Sequence, residues 1–221
     1  MVTADVFVSE LELKNQESFR SLIAAHYLPA LAGEGIAVAD VLRWESKMVI
    51  ESVESAALWL VDADSLELKL VLASACGDRA RHFRLLSDRL SALGLAPGSY
   101  DPRQGGYSKL FACLRSMQTS EERLAAGFLA MSGMSLARLE ALATWAAGKE
   151  DVATASLVRE QIMPDERQRI EVGRDMLIAA AAGDDSQARA RRAAYRAMEV
   201  MAELHEPATL RKLLGRSPAR K

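Results

Sequence analysis

Apolar residues recur every three or four positions along most of this chain, and only one stretch, residues 96–107 with two prolines and three glycines, reads as a long loop. That spacing puts apolar side chains on one face of an α-helix. A content of 5% aromatic residues, with alanine and leucine abundant, favours helices over sheets. The chain is therefore expected to be all-α. Its 221 residues suffice for one large helical domain with a buried core and fall short of two ordinary ones.

Capping residues and breakers place the helix ends. Residues 1–14 are acidic and alternate weakly (Val6, Val8, Leu11, Leu13), which reads as an N-terminal arm. A helix over 16–31 is stopped by Gly33 and Gly35. Asp40 caps a long helix reaching 61, and Asp64 or Ser65 caps the next, which runs to 93 and ends at Gly94. Beyond the loop a short helix covers 108–117. Thr119 or Ser120, with Glu122 close behind, opens a helix to 148. The next covers 151–182 and is broken by Gly183; a last one over 185–204 is closed by Pro207. The organisation is thus one helical domain over 15–205, with its core over about 40–182, followed by a basic tail over 206–221.

Composition excludes several classes. A formal net charge of -2 gives the whole molecule no strong field for nucleic acid or membrane. Cys76 and Cys113 have no Cys-x-x-Cys partner, so neither a disulfide framework nor a zinc ribbon is expected. The first residues carry acids and no long apolar run, unlike a secretory leader. No run of about 18 apolar residues is present to span a bilayer. A reduced, cytoplasmic setting is the expectation.

The core-facing stripes carry the chemistry. One reads Val41, Trp44, Met48, Glu51, Ser55, Leu58; a second Leu68, Leu72, Ala75, Arg79, His82, Leu86, Leu93; a third Ala155, Ile162, Glu166, Arg169, Gly173, Met176. Each is interrupted at mid-helix by charged or imidazole groups. Isolated charges are costly in a core, so three interruptions at one depth are expected to meet.

The residues at those interruptions carry a family resemblance. The run Gly77-Asp78-Arg79-Ala80-Arg81-His82-Phe83 resembles the Asp-Glu-Ala-Arg-His-Phe segment of ferritin-like di-metal carboxylate proteins. Asp165-Glu166-Arg167-Gln168-Arg169 resembles their second Asp-Glu-x-x-His motif. Gly133-Met134-Ser135 falls where they have Glu-Ala-Arg-Gly-Leu-Asp, and the loop over 100–107 is similar to their crossover. The pattern looks most similar to a bacterial family akin to the tRNA hydroxylases of this fold, over roughly residues 40–182. The resemblance implies a four-helix bundle with one long crossover, framed by extra N- and C-terminal helices.

It also implies a di-metal site, and the departures fall on the ligands. Such proteins use one Glu from each of two helices and a Glu-x-x-His from each of the other two. Glu51 matches the first Glu, His82 and Glu166 match half of each paired motif, and Arg79, Ala130 and Arg169 stand at the other three ligand positions. Asp78 and Asp165 match aspartates expected to orient the histidine of the opposite motif: Asp165 is expected to hold His82, and Asp78 to pair with Arg169. Arginine keeps its charge in a protein and clamps carboxylates with paired N–H groups. Glu51 and Glu166 against Arg79 and Arg169 sum to neutrality without a metal. A divalent ion there would meet two fixed positive charges, a repulsion of several kcal/mol even at an effective dielectric of ~20.

Three functions remain in view. The first is a metal-free, non-catalytic protein in a structural or binding role, with no cofactor. The second is a non-haem iron or manganese oxygenase or hydroxylase using Glu51, His82 and Glu166. The third is a binding module holding an anionic small molecule in the bundle cavity. Pro164 is expected to kink its helix before Glu166, and Met131, Met134, Trp44, Trp59 and Trp145 read as packing. The first 62 residues carry a net -6, and the chain from Asp184 onward +4, which suits head-to-tail association into a homo-oligomer such as a dimer, or with a protein partner. The arginines of 187–196 are a weak nucleic-acid signal and read as a solvated face.

Overall fold

The computed structural model describes residues 2–33, 35–96 and 98–214. Among them there is no strand, and the described residues form eight helices. Helix α1 spans 4–31 with a wide π turn over Ile23–Tyr27. Helices α2, Val38–Asp62, and α3, Leu66–Ala92, form a hairpin; Ser65 accepts a hydrogen bond from the Leu68 amide at 3.1 Å, and Gly94 leaves α3 with φ of 91°. After the loop come α4, Lys109–Arg115, and α5, over 120–148, which holds a π segment at Leu124–Met131. Helix α6 covers 152–180 with a π turn at Val158–Ile162, and α7, Asp184–His205, and α8, Pro207–Leu214, complete the chain. No helix of the described residues is long and apolar enough to cross a membrane.

Both ends depart from the sequence reading. Residues 4–14 are not an arm but the first half of α1. Their buried residues, Phe7, Val8 and Leu11, continue to Asn15, Phe19 and Leu22 at helical spacing, while Val6 and Leu13 are exposed. Pro207 does not close the chain into a free tail, because it opens α8, where the missing N–H of a proline costs a helix nothing. Leu210 and Leu214 of that helix are fully buried. The basic residues Arg216, Arg220 and Lys221 lie outside the described residues. Asp40 sits inside the first turn of α2, where its carboxylate accepts from the Ala37 amide at 2.9 Å. Leu58, expected in the core stripe, is exposed.

Pro164 needs no sharp break. The helix runs on through the π turn, where the Met163 N–H reaches back to the Val158 carbonyl, and the proline, which has no N–H to place, sits in the first turn of the α-helical segment that follows.

Hairpin α2–α3 faces hairpin α5–α6, with contacts at several levels. Arg89 Nη2 lies 2.6 Å from Asp151 Oδ1, Arg79 Nη2 donates to Ser132 Oγ at 3.2 Å, and Ser52 Oγ meets Met131 Sδ at 3.8 Å. Helix α7 lies across α4 and the π segment of α5; α1 packs on α5, α6 and α7, and α8 on α1 and α2. A single apolar cluster runs from Phe7 to Leu214. Helix α6 approaches α5 so closely that a Cβ at Gly173 would lie 2.4 Å from Phe128 Cβ.

Candidate functional site

Arg79 and His82 are three residues apart on α3, and Glu166 and Arg169 three apart on α6, so each pair leaves its helix on one face. The two faces meet in the core. Glu166 Oε1 lies 2.7 Å from Arg169 Nη1, and Glu166 Oε2 lies 3.6 Å from Arg79 Nη2. All three side chains are at most 5% exposed. His82, wholly buried, pairs through Nε2 with Asp165 Oδ2 at 2.8 Å, and Arg169 Nη2 lies 3.6 Å from Asp78 Oδ2 at the edge of the layer. Arg81 closes the other edge on the same Asp165 oxygen and donates to the Gln161 carbonyl of the π turn at 3.2 Å.

Electrostatics keep this layer ionised. Burial alone would raise the Glu166 pKa, but the guanidinium groups of Arg79 and Arg169 outweigh it and hold the carboxyl at about 2. Arg79 is lowered to about 10 by burial and by the like charge of Arg169, still far above neutrality. Burial also lowers His82, against the pull of Asp165, so the ring is neutral near pH 7. The negative Asp165 fixes the proton on Nε2, and Nδ1 then turns its lone pair toward Glu166, 4.0 Å away.

Two of the six positions that the ferritin-like resemblance marks as ligands stay outside the layer. The Glu51 carboxylate points to the crossover loop: Oε1 accepts from the Ser108 amide at 2.9 Å, Oε2 from the Ser108 hydroxyl, and Lys47 is 3.4 Å away. Glu51 therefore fastens the start of α4 rather than joining Glu166. Ala130 is fully buried within the π segment and offers no ligand atom; Ser132, two residues on, is the group of α5 that Arg79 reaches.

The core-facing stripes did not include a second buried ion pair. Glu45 on α2 accepts two hydrogen bonds from Arg138 on α5, at 3.1 and 2.9 Å, with both side chains 3% exposed. Arg138 also lies 4.7 Å over the Trp44 ring. A signal for it is present: Met131, Met134, Arg138 and Leu142 step three and four residues apart, as do Glu45, Met48 and Ser52. Between this pair and Arg79 lies a void of about 20 Å³, room for a water molecule and not for a small-molecule anion.

This donor set does not fit a metal ion. The Glu166 carboxylate faces two guanidinium groups, Glu51 faces the loop, and among the described residues no three His, Cys, Asp or Glu side chains converge as ligands. Cys76 and Cys113 are unpaired, and burial raises both thiols. The arginines of the basic segment are partly engaged within the chain, Arg189 with Glu121 at 2.6 Å and Arg191 over the Phe7 ring at 5.3 Å. No protein-family model matches the chain, and no match was found among curated proteins or solved structures.

Proposed function

We propose that this chain is a ferritin-like helical protein that works without a metal, in a structural or binding role rather than as an enzyme. The layer of Arg79, Glu166, Arg169, Asp78, His82 and Asp165 then takes the place of the di-metal centre. The observation that carries this reading is the double clamp on Glu166: both its oxygens face arginine, which puts fixed positive charge on the carboxylate that a metal would need as a ligand. The facing hairpins joined by a long loop suit the same reading. An oxygenase built on Glu51, His82 and Glu166 would need Glu51 to leave Ser108 and Glu166 to leave two cations.

The test is metal analysis of protein purified without chelator, followed by anaerobic iron(II) titration and a visible spectrum after oxygen. The expected result is well under one equivalent of iron, manganese or zinc per chain and no absorbing species. Stoichiometric, chelator-sensitive metal that disappears in Glu166→Gln overturns the proposal.

A further inference from the structure

A pocket of about 570 Å³ lies between α1, α5 and α6, away from the arginine layer. Its size falls within the ~300–1,000 Å³ of small-molecule sites. Phe19, Ile23, Leu129, Met163 and Ile170 make its walls mostly apolar. The π turns account for the room. Ile23 and Ala24 belong to the π turn of α1, Leu129 to that of α5, and Met163 directly follows that of α6. A π turn widens the helix and shifts its side chains out of register, and such turns recur at functional sites. Gly133 completes the floor: a Cβ there would lie 2.4 Å from the Phe19 ring, so the ring rests directly on α5.

The polar groups of this pocket are unbalanced in one direction. Asn15 is 3% exposed, and its Nδ2 has no hydrogen-bond partner among the described residues. A buried donor left unpaired destabilises the fold, and this nitrogen is closed off from the pocket, so it offers nothing to a ligand there. Four charged residues stand at the rim. Arg174 is shared between Asp5, at 2.7 Å, and Glu12, at 3.2 Å, and Glu140 pairs with Arg159 at 3.3 Å, so each acid at the rim has a partner within the chain. Arg20 and Arg167 are exposed and have no ion pair among the described residues. The pocket therefore offers apolar walls and two cations without an ion pair.

We propose that this pocket binds a medium-chain monocarboxylic acid. The chain lies against the apolar walls, and Arg20 and Arg167 draw and neutralise the carboxylate at the rim. A neutral alcohol would leave both arginines unanswered, and an amine would be repelled. The assignment stands independently of the metal question, since none of these side chains belongs to the arginine layer.

The test is calorimetric titration of the full chain with decanoate, decanol and decylamine below their aggregation limits. One decanoate per chain is expected, with a negative heat-capacity change from apolar burial, and the other two probes at least about tenfold weaker. The double variant R20E/R167E weakens decanoate by about tenfold or more. Ala24→Trp, at an exposed position, fills the pocket and removes binding; circular dichroism checks that both variants stay helical. Absence of decanoate binding overturns the proposal, as does equal binding of the three probes. A pocket covered by a second copy of the chain, seen as a dimer by sedimentation that decanoate does not displace, overturns it as well.

Discussion

His205 lies between Tyr27 and Trp44, ring centroids 6.0 and 5.5 Å away, with Nδ1 bonded to the Met201 carbonyl at 2.6 Å. Burial pushes its pKa down from 6.5 to about 3, reinforced by the nearby Arg138 charge. The folded ring stays neutral while the unfolded one takes a proton below about pH 6.5, so the unfolded state binds more protons and stability falls with pH. Glu166 acts in the same direction lower down: its contribution is present above an unfolded value of 4.5 and is lost as pH falls toward about 2. His82, also lowered by burial, adds to the upper window. Chemical denaturation at a series of pH values should therefore show stability declining as pH falls from about 6.5, with His205 contributing ~1.4 kcal/mol per pH unit. In His205→Phe the slope between about pH 6 and 4 should drop by that one-proton amount; an unchanged slope would mean the ring is solvated.

The elements are held at distances that two glycines make measurable. Alanine is the better helix former by ~1 kcal/mol, so a glycine-to-alanine change inside a helix normally stabilises. Gly77, on the exposed face of α3, has open space within 4 Å of where an added methyl would stand, and Gly77→Ala should raise the melting temperature. Gly173 is the opposite case. A methyl there would sit 2.4 Å from Phe128 Cβ, an atom fixed to the backbone of α5, so the helices must separate. Gly173→Ala should lose ~1–3 kcal/mol in denaturant unfolding despite the better propensity. Equal shifts for the two variants would show that α6 does not rest against α5 as closely as described.

At the scale of the whole molecule, the terminal helices are part of the core. α1 covers α5 and α6 and forms one wall of the carboxylate pocket, while α8 returns Leu210 and Leu214 against α1 and α2. Each buried leucine contributes ~1.5–3 kcal/mol relative to leaving it in water. A chain stopped after Glu206 should therefore unfold at a clearly lower urea concentration, while remaining helical. A midpoint equal to that of the full chain would mean that the segment beyond Glu206 is a free basic tail.

The helical class, the loop over 96–107 and most helix ends were legible in the sequence, because they depend on periodicity and on local caps such as Ser65, and Glu122 accepting from the Thr119 amide. The polar stripes Arg79 with His82, and Glu166 with Arg169, were legible for the same reason, since a spacing of three residues fixes a common face whatever the partner. Other features arise between elements. The direction of Glu51 depends on where the crossover loop brings Ser108, and local periodicity does not contain that position. The pairing of Glu45 with Arg138 is set by how two hairpins dock, and Pro207 opens a helix because the apolar face beyond it finds α1 and α2 to cover. Residue order alone thus dictates which faces the helices present and that charge is buried among them. Which charges meet is settled only when the helices pack, because pairing belongs to two docked surfaces and not to any one helix.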